Sequence, residues 1–207
     1  MDYKTYSHRF ADLVLSEDSR FKDDFKDITE VLSSISEEDL INGYLEDRRR
    51  RENAKSLSTT LNKLIKEKLV KKKWIPEAAI FRDEEYIKNK SKWRLDFTKN
   101  DISIEVAFNH GGDIAHNLMK PVLASELNHV EKDNQTEIGI IICATDSLKK
   151  AGNFDGAIGP MEKFISYLRP YSSYLTVPIL IIGLKPPKTF KIDSDIKSPT
   201  YKEIIYL

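Results

Sequence analysis

Asp96 and Glu105 are acidic residues set into a run of apolar positions (Leu95, Phe97, Ile102, Ile104, Val106 and Phe108) that alternate at the period of a β-strand. Asn100-Asp101 between the two halves reads as a two-residue turn, so residues 92–108 predict a hairpin. With that turn Lys99 pairs with Ile102, and counting outward sets Asp96 directly opposite Glu105 on one face. Opposed residues on one face lie about 5 Å apart at Cβ, near enough for both side chains to share one hard cation. Like charges so placed repel unless a cation compensates them, so the hairpin predicts a metal site.

The flanking segments supply the scaffold. Upstream, residues 8–73 read as helical, with Phe10, Leu13 and Val14, then Phe21, Phe25, Ile28, Val31 and Leu32, then Leu57, Leu61, Leu64, Ile65 and Leu69 at helical spacing. Ser36 is a capping serine for a further short helix. Downstream, Asn109-His110-Gly111-Gly112-Asp113 is a glycine-rich turn opening a helix from Ile114 to His129 that Pro121 should kink. Ile138–Ala144 and Val177–Leu184 are apolar strands joined through a polar stretch, residues 145–160, and a helix, Met161–Leu168, which implies a covered βαβ-like centre. In the tail, Tyr201, Ile204, Ile205 and Tyr206 suggest a final edge strand.

At 207 residues the chain suits one domain, 1–207, with a helical part over about 1–75, a core over about 76–185 and a tail over 186–207. Basic and acidic residues balance at 33 each, so only local clusters can indicate a partner. The single cysteine, Cys143, lies in an apolar run; it excludes an internal disulfide framework and predicts a buried, inert thiol in a reducing compartment. Apolar runs are too short to span a bilayer, so no membrane association is expected, and the protein is expected to be cytoplasmic. No His/Cys spacing suggests zinc and no Walker-type loop suggests ATP.

The carboxylate step from Asp96-Phe97 to Glu105, the strand Glu105-Val106-x-Phe108, and the upstream run Asn62-x-x-Ile65-Lys66-x-x-Leu69 ending at Trp74 form an ordered series. Ser125-Glu126-Leu127, Ile140-Ile141-Ile142, and Val177-Pro178-Ile179 through Gly183-Leu184 continue it. This series resembles the PD-(D/E)xK nucleases and, within them, the BglII/BstYI group of type II restriction endonucleases, over roughly residues 55–185. The resemblance implies an α/β fold: a restriction-endonuclease-like core with a mixed central β-sheet flanked by helices, beside a helical N-terminal region. It also implies a prokaryotic, homodimeric, Mg²⁺-dependent enzyme that cuts both strands of a short, GATC-centred palindrome in double-stranded DNA, with a cognate DNA methyltransferase as genetic partner. Asp96 and Glu105 become the metal ligands and catalytic carboxylates.

Position 107 departs from the pattern. The resembled family carries Lys, Gln or Glu two residues past the second carboxylate, and this chain carries Ala107. An engineered change, a natural loss, or supply of the polar group from elsewhere would each account for it. The hairpin register puts Arg94 opposite position 107; Glu126 and Lys120 on the following helix are further substitutes, and Glu77, Glu84 or Glu85 could add a carboxylate. The resemblance sends Asn109 into the major groove, where an Asn amide can pair with adenine. It makes the loop with Asn153 and Asp155 a second readout element, and His110 a base or phosphate contact. Arg48, Arg49, Arg50 and Arg51, the densest positive charge, become phosphate contacts beside such a core, as do the lysines between 63 and 73. His116, His129, Trp74 and Trp93 read as surface, interface or packing residues. A catalytically silent DNA-binding relative, or a monomeric nicking or structure-specific nuclease, are the competing functions.

Overall fold

The structure, a computed structural model, describes residues 1–51, 54–88, 93–108, 110–126 and 130–207. In chain order it runs β1 (Tyr3–His8), α1 (Ala11–Glu17), α2 (Lys22–Ser33), α3 (Glu37–Arg50), α4 (Ser58–Lys71), β2 (Ile75–Ala79) and α5 (Glu84–Lys88). The hairpin strands β3 (Arg94–Lys99) and β4 (Ile102–Ala107) follow, then α6 (Ile114–Ser125), β5 (Ile138–Ala144), α7 (Asp146–Ala151), α8 (Met161–Tyr171), β6 (Ile179–Leu184), β7 (Phe190–Ile192) and β8 (Ile204–Tyr206).

Of these, six strands form one mixed sheet in the order β1-β6-β5-β4-β3-β2. Its centre is parallel, β4 with β5 and β5 with β6. Every residue of β5 and β6 is buried, as a strand covered on both faces requires, and their near-continuous apolar sequence follows from that position. The helices α1 to α4 bring Leu15, Ile28, Leu32, Leu61 and Ile65 onto one face, against Ile104, Ile140, Ile142 and Leu180. On the other face, Leu118 and Val122 of α6 and Phe164 and Leu168 of α8 meet Ile141 and Ile181. Truncating a core residue such as Leu61, fully buried in this arrangement, to alanine costs about 2–5 kcal/mol.

The N-terminal region is not wholly helical. It opens with β1, which pairs antiparallel with β6 and closes the sheet edge. Its sequence, Tyr-Lys-Thr-Tyr-Ser-His, is largely polar because much of it faces water, so it carries no apolar alternation. The capping serine is borne out: Ser36 Oγ accepts from Asp39 N at 3.0 Å and Asp39 returns a carboxylate to Ser36 N, starting a helix longer than expected. The stretch 145–160 contains α7, capped by the Thr145 hydroxyl at Leu148 N. The helix expected to end at His129 is described as α6, which continues through Pro121 to Ser125; residues 127–129 lie outside the described residues. The final edge strand exists as β8, paired with β7 away from the main sheet.

Candidate active site

The expected turn forms. Asn100 takes φ 49°, a left-handed conformation that asparagine tolerates, and the ladder starts at Lys99↔Ile102. Lys99 Nζ reaches Asp24 and Asp27 of α2 at 2.8 Å each, and Asn100 Nδ2 donates to Asp24 Oδ2 at 2.6 Å, which fixes the hairpin tip to the helical layer.

Away from the tip, the ladder pairs run to Phe97↔Ile104. Beyond them the carboxylates do the bridging. Asp96 Oδ2 accepts the Val106 backbone N–H at 2.7 Å, while the Asp96 backbone N–H donates to Glu105 Oε1 at 3.3 Å. Each acid is therefore oriented by the other's strand. Glu105 is buried at 2% exposure, and its second oxygen, Oε2, lies 2.5 Å from Lys120 Nζ on α6.

Electrostatics follow from this enclosure. Burial, then the nearby Asp96 charge, push the Glu105 carboxyl up to about 8, against the pull of Lys120. Burial likewise raises Asp96, opposed by the Val106 hydrogen bond and the Lys120 charge. Desolvation and like charge both disfavour two ionised carboxylates here, the condition that a bound divalent cation relieves.

Asp96 opens onto a cleft of about 410 Å³ lined by Asn62, Lys63 and Lys66 of α4 with Glu77, Phe97 and Val106. Glu77 lies between the register pairs Pro76↔Phe97 and Ala78↔Leu95, so it falls beside Asp96; its φ of 52° interrupts β2 at that point. Lys66 Nζ stands 3.7 Å from Glu77 Oε1. Among the upstream acids, Glu77 thus borders the cleft, while Glu84 and Glu85 lie exposed on α5. The sequence marked Asn62 as a member of an ordered run, and Lys66 both as a member of that run and as one of the lysines expected to contact phosphate; their common helical face toward a strand acid emerges with the packing of α4 on β2.

Two candidate substitutes for position 107 point elsewhere. Arg94 does not cross the hairpin to Ala107: its Nη1 donates to the Glu77 carbonyl at 3.0 Å, since β3 at that point pairs with β2. Ala107 instead pairs with Cys143 of β5, and its methyl lies in the core under α6 and α8. Glu126 caps the end of α6 and accepts from Thr176 Oγ1 at 2.5 Å. Cys143 is wholly buried, its thiol pushed far up by burial.

The remaining candidates form two surface groups. His110 bridges Ile158, and Gly111 N donates to Ala157 O at 2.6 Å, which joins the turn after β4 to the loop after α7. In that loop Asn153 donates to Lys55 O at 2.8 Å, and Asp155 holds Ala157 N at 2.9 Å and Lys55 Nζ at 3.4 Å. Asn109 lies outside the described residues. The arginines end α3: Arg49, Arg50 and Arg51 are exposed, Arg50 pairs with Glu46 at 2.5 Å, and Arg48 reaches Ala54 O at 3.4 Å. Glu46 also holds Lys63 at 3.1 Å, linking the tract to the cleft. Trp74 is buried, and Trp93 packs with Phe81, Tyr86 and His116.

The family model for restriction endonuclease BglII/BglIII matches residues 3–184. Among solved structures, the chain is similar to a crystal structure of restriction endonuclease BglII complexed with a DNA 16-mer, at 19% identity over 100% of this chain and 92% of that one, with a TM-score of 0.66. It is also similar to a crystal structure of free BglII, at 17% identity over 100% and 93% of the two chains, with a TM-score of 0.52. No curated protein sequence matches it.

Proposed function

Because the chain belongs to the BglII/BglIII restriction endonuclease family and is a type II site-specific deoxyribonuclease, we propose that Asp96 and Glu105 are its catalytic carboxylates and hold Mg²⁺. The reciprocal bonding of this pair carries the reading. Among the described residues no group of three or more His, Cys, Asp or Glu side chains is arranged as a metal cage. Mg²⁺ does not require one: it is commonly held by one or two carboxylates, with waters and substrate phosphate oxygens completing its shell. The donor set fits that ion, and zinc-type ligands are not part of it. When bound, the cation supplies charge stabilisation at the scissile phosphate and acidifies the attacking water.

The protein's own groups do the rest. Asp96 and Glu105 arrive already oriented, so little reorganisation accompanies ligand binding. Lys63, Lys66 and Asn62 border the cleft where a phosphate backbone would enter, and Arg48, Arg49, Arg50 and Arg51 extend that positive edge as non-specific phosphate contacts. The joined loops bearing Asn109, His110, Asn153 and Asp155 are the base-reading surface in this proposal, with Asn pairing to adenine and Asp accepting from cytosine. Cutting both strands of a palindrome calls for a two-fold homodimer, one site per strand. The substrate is double-stranded DNA with a GATC-centred site, protected in the host cell by a cognate methyltransferase, and the compartment is the cytoplasm.

Incubation with a sequence-diverse DNA pool and Mg²⁺ should give discrete fragments whose ends share a GATC-centred palindrome. Asp96→Ala or Glu105→Ala should bind DNA and leave it intact. Ala107 favours a second reading, a silent relative that binds its site. That reading predicts salt-sensitive, sequence-specific binding with no fragments in Mg²⁺ or Mn²⁺, even after Ala107→Lys.

A further inference from the structure

Lys120 sits inside α6 with 8% of its surface exposed, and among the described residues its ion pair is with the buried Glu105. Its ammonium faces both acids of the site, at 2.5 Å from Glu105 Oε2 and within electrostatic reach of Asp96. Replacing a buried ion pair by packed apolar residues is often neutral or stabilising, so stability alone does not explain a lysine there.

A backbone feature sets its height above the sheet. Gly139 of β5 lies under Pro121, the residue after Lys120: a Cβ on Gly139 would fall 2.5 Å from Pro121 Cγ and 2.6 Å from Pro121 Cβ. The missing side chain lets α6 approach β5 closely, and β5 pairs with β4 at Ser103↔Gly139 and Glu105↔Ile141. The helix is thereby brought down onto the face that carries Glu105. On that same face, two residues further along β4, Ala107 offers only a methyl.

We propose that Lys120 supplies from α6 the third catalytic group that β4 lacks at Ala107. This rests on the nuclease reading above. In the free protein the ammonium bonds Glu105; with DNA bound it donates hydrogen bonds to the attacking water and to a non-bridging oxygen of the scissile phosphate. Lys120 stays an ammonium throughout. Water oxygen bonds to phosphorus as the P–O3′ bond breaks, the water's proton passes to solvent, and the 3′ oxygen takes a proton from solvent, leaving a 5′-phosphate and a 3′-hydroxyl. Gly139 is a positioning residue for this group.

The test compares the unaltered protein, Lys120→Met, Ala107→Lys and the double variant Ala107→Lys/Lys120→Met. Each is followed by single-turnover DNA cleavage at saturating Mg²⁺, by calorimetric Mg²⁺ titration, by DNA affinity without metal, and by thermal melting. Lys120→Met should lower the single-turnover rate by roughly 10²–10³-fold, the loss typical of one preorganised donor, while Mg²⁺ and DNA bind no more weakly. The double variant, which returns the charge to the strand, should recover most of that rate. It also keeps a cation beside Glu105, so it remains informative if Lys120→Met fails to fold.

Wild-type cleavage by Lys120→Met would overturn the proposal. So would a rate loss erased by raising Mg²⁺, which would make Lys120 a mere counter-charge, or a folded double variant no faster than Lys120→Met. If the unaltered protein is silent and Ala107→Lys cuts, Lys120 does not fill the role and the nuclease reading stands. If neither cuts, the nuclease reading itself fails, and Lys120's role with it.

Discussion

Two regions of the molecule carry their ionisable groups in opposite ways. At the end of α3, four consecutive arginines stand mostly in water, and the nearest partner, Glu46, is itself shared with Lys63. At the open end of the hairpin, three ionisable groups are enclosed by α6 and the sheet, and oxygens of Asp96 and Glu105 are fixed by a backbone N–H or an ammonium. Exposed pairs are worth about 0–1 kcal/mol and are screened by salt. Buried charges are screened much less, and small displacements there change them strongly. In the proposed reading, exposed charge density marks where DNA is attracted, and the enclosed ionisable groups mark where bonds are broken.

Substitutions can break this contrast in a graded order. The largest effect is expected at the acids: Asp96→Ala should lower single-turnover cleavage by on the order of 10³-fold or more, with DNA affinity measured without metal left close to wild type. Equal losses of binding and cutting would merge the two regions into one function.

Next comes Gly139→Ala. A methyl under Pro121 must lift α6 or strain β5, which costs about 1–3 kcal/mol as overpacking. A lowered melting temperature should accompany a cleavage defect that added Mg²⁺ does not repair. Normal cleavage with a lower melting temperature would detach the helix height from the chemistry.

A third test uses pH. Burial, then the Asp96 charge, raises the Glu105 carboxyl to about 8 in the folded chain, whereas an unfolded glutamate titrates near about 4.3. Between those values the native state holds a proton that the unfolded state has released. The stabilising contribution is complete below the unfolded value and is lost as pH rises through the folded one. Metal-free wild type should thus lose stability relative to Glu105→Gln between about pH 5 and about pH 9. Parallel melting curves across that range would mean that Glu105 is not held in an enclosed site beside the Asp96 charge.

The smallest effect belongs to the tract. Neutralising Arg49 and Arg51, both exposed, should reduce the slope of log affinity against log salt by about 0.9 per lost phosphate contact. The cleavage rate of fully bound DNA should not change. A rate loss at saturation would move the tract into the reaction itself.

How much of this was legible in the chain follows from the range of each interaction. The hairpin was readable because its signal is local: period-two apolar residues and an asparagine able to take φ 49°. The exact meeting of the two acids was not, since the ladder stops at Phe97↔Ile104 and side chains replace it. β1 went unseen because its outer residues are polar, and β2 because Pro76 and the left-handed Glu77 deny it a strand signature. Lys120 and Glu126 stood as equal substitutes in the sequence; only the descent of α6 onto Gly139 separates the one at the site from the one at Thr176. Arg94 was misdirected for a similar reason, because a partner strand, β2, captures it.

Anomalous scattering from crystals grown with Mn²⁺ and uncleaved DNA would show whether Asp96 and Glu105 hold the metal. A peak is expected in contact with the Asp96 and Glu105 carboxylates and a phosphate oxygen, with the Lys120 ammonium beside that phosphate. A peak held by other residues, with these two carboxylates still bonded only to protein, would contradict it.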